Sequence, residues 1–67
     1  MKAVSGKDFC KALERNGWVL ARISGSHHIY MKPGSPVVSV PVHGTVPLGT
    51  GLQRKLMKQT WLTDDDL

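Results

Sequence analysis

The chain has 67 residues, of which 40% are hydrophobic and 21% are charged, and its formal net charge is +4. A chain this short buries only about 60% of its unfolded surface, so we expect one domain, residues 1–67, with a single core. Its longest apolar stretch, 36–42, is far below the roughly 18 residues of a membrane span, and no apolar signal segment follows Lys2. We therefore expect neither a membrane protein nor a secreted one.

Positive charge dominates most of the chain. Three of the five acidic residues are Asp64, Asp65 and Asp66, so residues 1–63 hold nine Lys and Arg against two acids, a charge of +7. A compact body with this charge attracts polyanions, although basic residues can also serve solubility alone. Nucleic acid is therefore a candidate partner.

The single cysteine bears on two questions: the cellular compartment of the protein and whether it binds a metal ion. Cys10 is the only cysteine, so no internal disulfide can form, and a reducing, cytoplasmic setting is favoured. Helical spacing places Cys10 on an apolar helix side, where it would serve as a small buried hydrophobe. The spacing of Cys10 and the three histidines matches no ordinary zinc module, so we expect no metal and no other cofactor.

The first helix is predicted over residues 6–16, and three strands are predicted after it. Ser5 before Asp8 is a weak capping-box signal, and Asn16-Gly17 is a typical helix end. The strand segments are rich in β-branched and aromatic residues and are separated by Gly, Ser and Pro; they span 18–24, 27–32 and 37–42. Their short connections favour an antiparallel meander.

A second helix is predicted from Thr50, or the glycine backbone around it, to about Thr60. Leucines recur in it at helical spacing, and Trp61 and Leu62 are expected to pack back on the core. The predicted fold class is therefore α+β: a helix, a three-stranded antiparallel sheet and a second helix, with both helices on one face of the sheet.

Specific stretches within these elements form a recognisable pattern. They are 13–20, 22–30, 38–41 with His43, 49–50 leading into 52–59, and 62–63. The most specific is Gly25-Ser-His-His-Ile-Tyr30, following Asn16-Gly-Trp18. Together with the order of the elements, these stretches resemble the HicA family of toxin ribonucleases. The resemblance implies a fold similar to double-stranded-RNA-binding domains, messenger-RNA interferase activity, and a HicB-type antitoxin that covers the active site.

Histidine is the residue type that suits such an activity. RNA is cleaved at its own 2′-hydroxyl when a general base removes that proton and cations hold the phosphate, and no metal is required. The unperturbed pKa of histidine, about 6.5, suits the base. The resemblance places the catalytic histidine in the Gly-Ser-His-His element, which makes His27 and His28 the catalytic candidates, with His27 preferred.

Strand alternation separates the two histidines onto opposite faces. If Ile29 points into the core, His27 lies at the rim on the helix-facing side, which suits a base. His28, Tyr30 and Lys32 would then share the open face, which suits contacts to RNA. One histidine of such a pair is expected to be structural.

The other candidates are RNA-binding residues, each of which has an ordinary structural alternative such as a solvated lysine or a turn serine. They are Arg22, Lys32, Arg54, Lys55 and Lys58 for phosphates, Ser26 for a phosphate or for fixing a histidine, His43 for a phosphate or as the acid partner, and Tyr30 for base stacking. The sequence thus predicts a metal-independent endoribonuclease that cleaves single-stranded messenger RNA and is neutralised by a HicB-type antitoxin. A non-catalytic RNA-binding module of the same fold, and a basic protein that binds only an acidic partner, are the alternatives.

Overall fold

The computed structural model describes all 67 residues and has the predicted α+β order. Its elements are α1 (Gly6–Arg15), β1 (Val19–Ser24), β2 (His27–Met31), β3 (Val38–Pro41), α2 (Thr50–Thr60) and a final 3-10 turn (Asp64–Asp66). The strands form one antiparallel sheet in the order β1-β2-β3. The helices cover one face of this sheet, as in double-stranded-RNA-binding domains, which confirms the predicted fold class. Neither helix has the length and apolar character needed to cross a bilayer.

Helix α1 is fixed at both ends by contacts that its sequence encodes. At the start, the Ser5 hydroxyl accepts a 3.2 Å hydrogen bond from the backbone N–H of Asp8. Val4 and Phe9, on either side of this cap, are both buried, as a hydrophobic staple requires. At the other end, Asn16 is the C-cap, and Gly17 follows with a φ of 89°.

The core lies between the helices and the sheet. It is formed by one face of α1, by β2 and β3, and by single residues of α2 and the flanking segments: Val4, Phe9, Cys10, Ala12, Leu13, Trp18, Tyr30, Val38, Val40, Leu56 and Leu62. The predicted burial of Cys10 and Leu62 is thus confirmed.

The predicted burial of Trp61 is wrong, because 87% of this residue is exposed. Helix α2 ends at Thr60, and Trp61 takes the left-handed conformation, with a φ of 65° and a ψ of 16°. This reversal of the chain brings Leu62 into the core and leaves Trp61 outside.

A buried amide joins α2 to the segment before α1. Gln53 is only 1% exposed, and its Oε1 accepts a 3.1 Å hydrogen bond from the backbone N–H of Val4. Its Nε2 donates to the backbone carbonyl of Lys2. Buried polar groups require such partners, so Gln53 fixes the position of α2 relative to the N-terminal segment.

The acidic turn packs beside the basic N-terminal segment. The carboxylate of Asp66 caps the turn by accepting a 2.7 Å hydrogen bond from the backbone N–H of Thr63. Arg15 donates a 2.9 Å hydrogen bond to the backbone carbonyl of Asp66, and the backbone N–H of Lys2 donates to Asp64 Oδ1 at 3.4 Å. The acids therefore lie near α1 and the N-terminus rather than along α2.

Candidate active site

The strand register decides which histidine faces which way. Residues directly opposite in an antiparallel pair share a face of the sheet. His28 lies opposite Val40, and Tyr30 lies opposite Val38, and both valines are buried under the helices. His28 and Tyr30 are therefore on the helix-facing side, and His27 is on the open face. The condition that Ile29 points into the core is not met, because Tyr30 and the two valines fill the core instead.

The predicted role of Tyr30 in base stacking is also wrong, because Tyr30 is only 1% exposed. Its hydroxyl donates a 2.6 Å hydrogen bond to Glu14 Oε2 on α1. Burial, followed by the bond to Glu14, raises the pKa of Tyr30 well above its ordinary value. Tyr30 is thus a core residue that joins β2 to α1, and RNA cannot reach its ring.

His27 occupies an accessible position at the beginning of β2. It is exposed and lies opposite Ser24 of β1 and Pro41 of β3. Arg22 pairs with Ile29, the next open-face position of β2, so Arg22 and His27 are diagonal neighbours, typically about 7–8 Å apart between Cα atoms. Arg22 is exposed and has no ion pair, and none of the three strands contains an acidic residue. The open face thus combines an imidazole and a cation with no nearby strand carboxylate.

His28 has different surroundings from its neighbour. It is half-buried on the helix-facing side, where it shares the face with Ile23 of β1 and Val40 of β3. Ile23 is 56% exposed, so the helices leave this corner of the sheet open to solvent. His28 therefore has the rim position that strand alternation had assigned to His27.

The third histidine is held close to the same end of the sheet. The backbone N–H of Val42 donates a 2.7 Å hydrogen bond to the carbonyl of Ser26, in the turn between β1 and β2. His43 follows Val42 directly and is exposed. The chain after β3 therefore places His43 beside the turn that precedes His27.

Lys32 lies away from this group, at the opposite end of β2. It is five positions after His27, or about 16 Å along a strand. Its Nζ donates a 3.0 Å hydrogen bond to the carbonyl of Asn16 and lies 5.9 Å from the centroid of the Trp18 ring. The hydrogen bond satisfies the carbonyl of the C-cap residue of α1, so Lys32 has a structural role in the fold.

The remaining predicted cations share one exposed helix. Arg54, Lys55 and Lys58 are exposed on α2, and no hydrogen bond or ion pair engages their side chains. No group of three or more His, Cys, Asp or Glu side chains converges on a possible metal site.

Comparison of the chain with known protein families identifies the family to which it belongs. The model of the HicA toxins of bacterial toxin–antitoxin systems matches residues 6–62, which include both helices and the whole sheet. The chain belongs to the HicA toxin family. Members of this family are generally endoribonucleases. No curated protein matches the chain significantly.

Within this HicA toxin, the structure brings together only part of the predicted set. One end of the sheet holds five of the predicted residues: Arg22, Ser26, His27, His28 and His43. Helix α2 carries three others, Arg54, Lys55 and Lys58. The last two, Tyr30 and Lys32, have structural contacts. The exposure of Trp61 was not predicted from the sequence. The signal was the absence of Gly or Asn after α2, since the residue there must itself take the left-handed conformation.

Proposed function

We propose that this toxin is an endoribonuclease that cleaves messenger RNA without a metal ion, with His27 as the general base. The exposure of His27 on an acid-free sheet face beside Arg22 is the observation that supports this assignment most directly. A base must reach the ribose, and a cation must reach the phosphate, from the same side of the protein.

The proposed reaction is a transesterification within the RNA. His27 takes the proton of a 2′-hydroxyl, the 2′-oxygen bonds to the adjacent phosphorus, and the bond from phosphorus to the 5′-oxygen breaks. The leaving 5′-oxygen takes a proton from an acid, for which His28 and His43 are the nearby candidates. Arg22 stabilises the negative charge that develops on the phosphate. The products are a 2′,3′-cyclic phosphate and a 5′-hydroxyl.

His28 is the second candidate for the base. It has the helix-facing rim position that suits a base, but it is half-buried. A base must reach the 2′-hydroxyl of a bound RNA, so the exposed His27 is preferred. The two histidines are therefore tested separately.

The physiological partner follows from the same assignment. We propose that a HicB-type antitoxin neutralises the toxin in the cytoplasm by covering the end of the sheet that holds His27 and His43. Expression of the toxin alone should then stop growth, and co-expression of the antitoxin should restore it.

The deciding experiment is cleavage of a single-stranded RNA oligonucleotide in the presence of EDTA. His27→Ala should lower the rate at least a hundredfold, since general base catalysis typically contributes 10²–10⁴-fold. Ser35→Ala, in the turn between β2 and β3 at the opposite end of β2 from His27, is the control and should cleave normally. A much larger loss in His28→Ala than in His27→Ala would instead make His28 the base.

Two outcomes would contradict the proposal. Cleavage that stops when the chelator is added would indicate a metal-dependent reaction. RNA that binds to the wild-type protein but stays intact, with no difference between the histidine variants and the wild type, would indicate a non-catalytic RNA-binding module.

A further inference from the structure

Trp61 combines two properties that lower the stability of the fold, so a function is needed to explain them. It is 87% exposed, although tryptophan normally buries a large apolar area. It is also the only non-glycine residue with a positive φ, 65°, a conformation that is strained for a bulky side chain. Strained residues of this kind occur preferentially at functional sites.

The part of α2 that leads to Trp61 is positively charged. Lys58 lies one helical turn before Trp61, and Arg54 lies one turn before Lys58, so successive turns of α2 present a cation. Helix α2 contains no acidic residue, and these cations have no partner in the chain. In the acidic turn that follows Trp61, Asp64 accepts a hydrogen bond from the backbone N–H of Lys2, and the backbone carbonyl of Asp66 accepts one from Arg15.

We propose that single-stranded RNA binds along α2, with its phosphates on Arg54 and Lys58 and one unpaired base stacked on the ring of Trp61. This inference rests on the proposed ribonuclease function and assigns part of its substrate surface. Unpaired cations provide charge complementarity to a phosphate backbone, and an exposed aromatic ring offers a stacking platform that accepts any base.

RNA fits this surface better than an acidic protein does. A protein that buried Trp61 would use it as a hydrophobic anchor and would need an apolar surround. The neighbouring exposed side chains, Lys58 and Gln59, are instead charged and polar. Flanking cations with one isolated ring are typical of single-strand binding.

The test measures binding separately from cleavage. The double variant His27→Ala/His28→Ala, which should not cut RNA, is titrated with a labelled single-stranded RNA oligonucleotide, and fluorescence anisotropy gives the Kd. Adding Trp61→Gly should raise the Kd between about fivefold and a hundredfold, the range expected for one lost stacking contact. Adding Trp61→Phe should restore most of the affinity. Lys11→Ala, which removes an exposed cation of α1, is the charge control and should change the Kd much less than Lys58→Ala.

Tryptophan emission provides an independent signal. RNA should quench the emission of the protein that contains Trp61, whereas inorganic polyphosphate, which has charge but no bases, should not. The buried Trp18, 3% exposed, remains in every variant as the background.

The outcomes separate the two proposals. If Trp61→Gly binds RNA as tightly as its parent while the wild-type protein cuts RNA, this inference is wrong and the proposed function stands. If poly-glutamate quenches Trp61 and RNA does not, the surface binds an acidic protein and the inference is wrong. If the wild-type protein neither binds nor cuts RNA, the proposed function fails as well.

Discussion

The hydroxyl of Tyr30 donates a 2.6 Å hydrogen bond to Oε2 of Glu14, and this bond crosses from the middle strand to the first helix. The ring of Tyr30 is buried against α1, whereas Glu14 remains accessible at its carboxylate. The pair therefore anchors the helix that covers the sheet, a few residues along β2 from the proposed catalytic histidine.

Replacing Tyr30 with Phe should lower stability without changing cleavage. The variant keeps the buried ring and loses only the bond to a charged acceptor, and Glu14 can turn to water, so we expect a loss of about 1–2 kcal/mol. Urea unfolding measures the stability, and cleavage is compared per folded molecule at low temperature. A loss of cleavage with unchanged stability would mean that the hydroxyl contacts the substrate.

Gly6→Ala should be strongly destabilising, because a Cβ at this position would overlap the backbone carbonyl oxygen of Pro41. The start of α1 packs against the end of β3 there, and backbone cannot easily move aside, so we expect a loss of 1–3 kcal/mol or more, on the order of overpacking costs. Gly51→Ala is the matched control. It lies in α2 with no atom near the added Cβ, and should raise stability by up to about 1 kcal/mol. Equal effects of the two substitutions on thermal unfolding would refute this packing.

The C-terminal turn should open in acid. The hydrogen bond from the Thr63 backbone N–H lowers the pKa of Asp66 below its ordinary value. A carboxyl whose pKa is lower in the folded state stabilises the fold above its unfolded pKa, and this contribution disappears as the pH falls through the folded value. The amide resonance of Thr63 should therefore shift as the pH drops below about 4. Asp66→Ala should abolish this shift. Asp65→Ala, which removes an acid that makes no side-chain hydrogen bond, should preserve it.

Trp61→Gly should stabilise the protein while it weakens RNA binding. Glycine adopts the left-handed conformation without the penalty of roughly 1–2 kcal/mol that other residues incur, and the exposed ring contributes little packing. Gln59→Gly, inside α2, should instead lower stability by about 0.5–1 kcal/mol. Thermal unfolding of both variants checks the sign. A lower melting temperature for Trp61→Gly would show that the ring packs on the protein in solution.

The fold was predictable because local signals agree with one another along the chain. The cap at Ser5, the glycine after Asn16 and the turns between strands each fix an element boundary to within one or two residues. The short connections then leave an antiparallel sheet as the only simple arrangement.

The faces of β2 were not predictable from its sequence. In His27-His-Ile-Tyr-Met31, Ile29 and Tyr30 both suit a core, and a one-residue change of phase exchanges every side chain between the faces. Only the pairing of Tyr30 with Val38 and of His28 with Val40 settles the choice. The burial of Gln53 depends likewise on backbone groups of Lys2 and Val4, which lie about fifty positions away in the chain, so no local pattern indicates it.

The buried thiol of Cys10 can serve as a probe of local unfolding around helix α1. Cys10 is 5% exposed, and burial raises the pKa of its thiol, so both the access to the thiol and its reactivity are suppressed in the folded state. A thiol reagent can modify it only in molecules whose first helix has separated from the sheet. Because no other cysteine competes, the labelling rate reports that separation directly, in native buffer and with no attached dye.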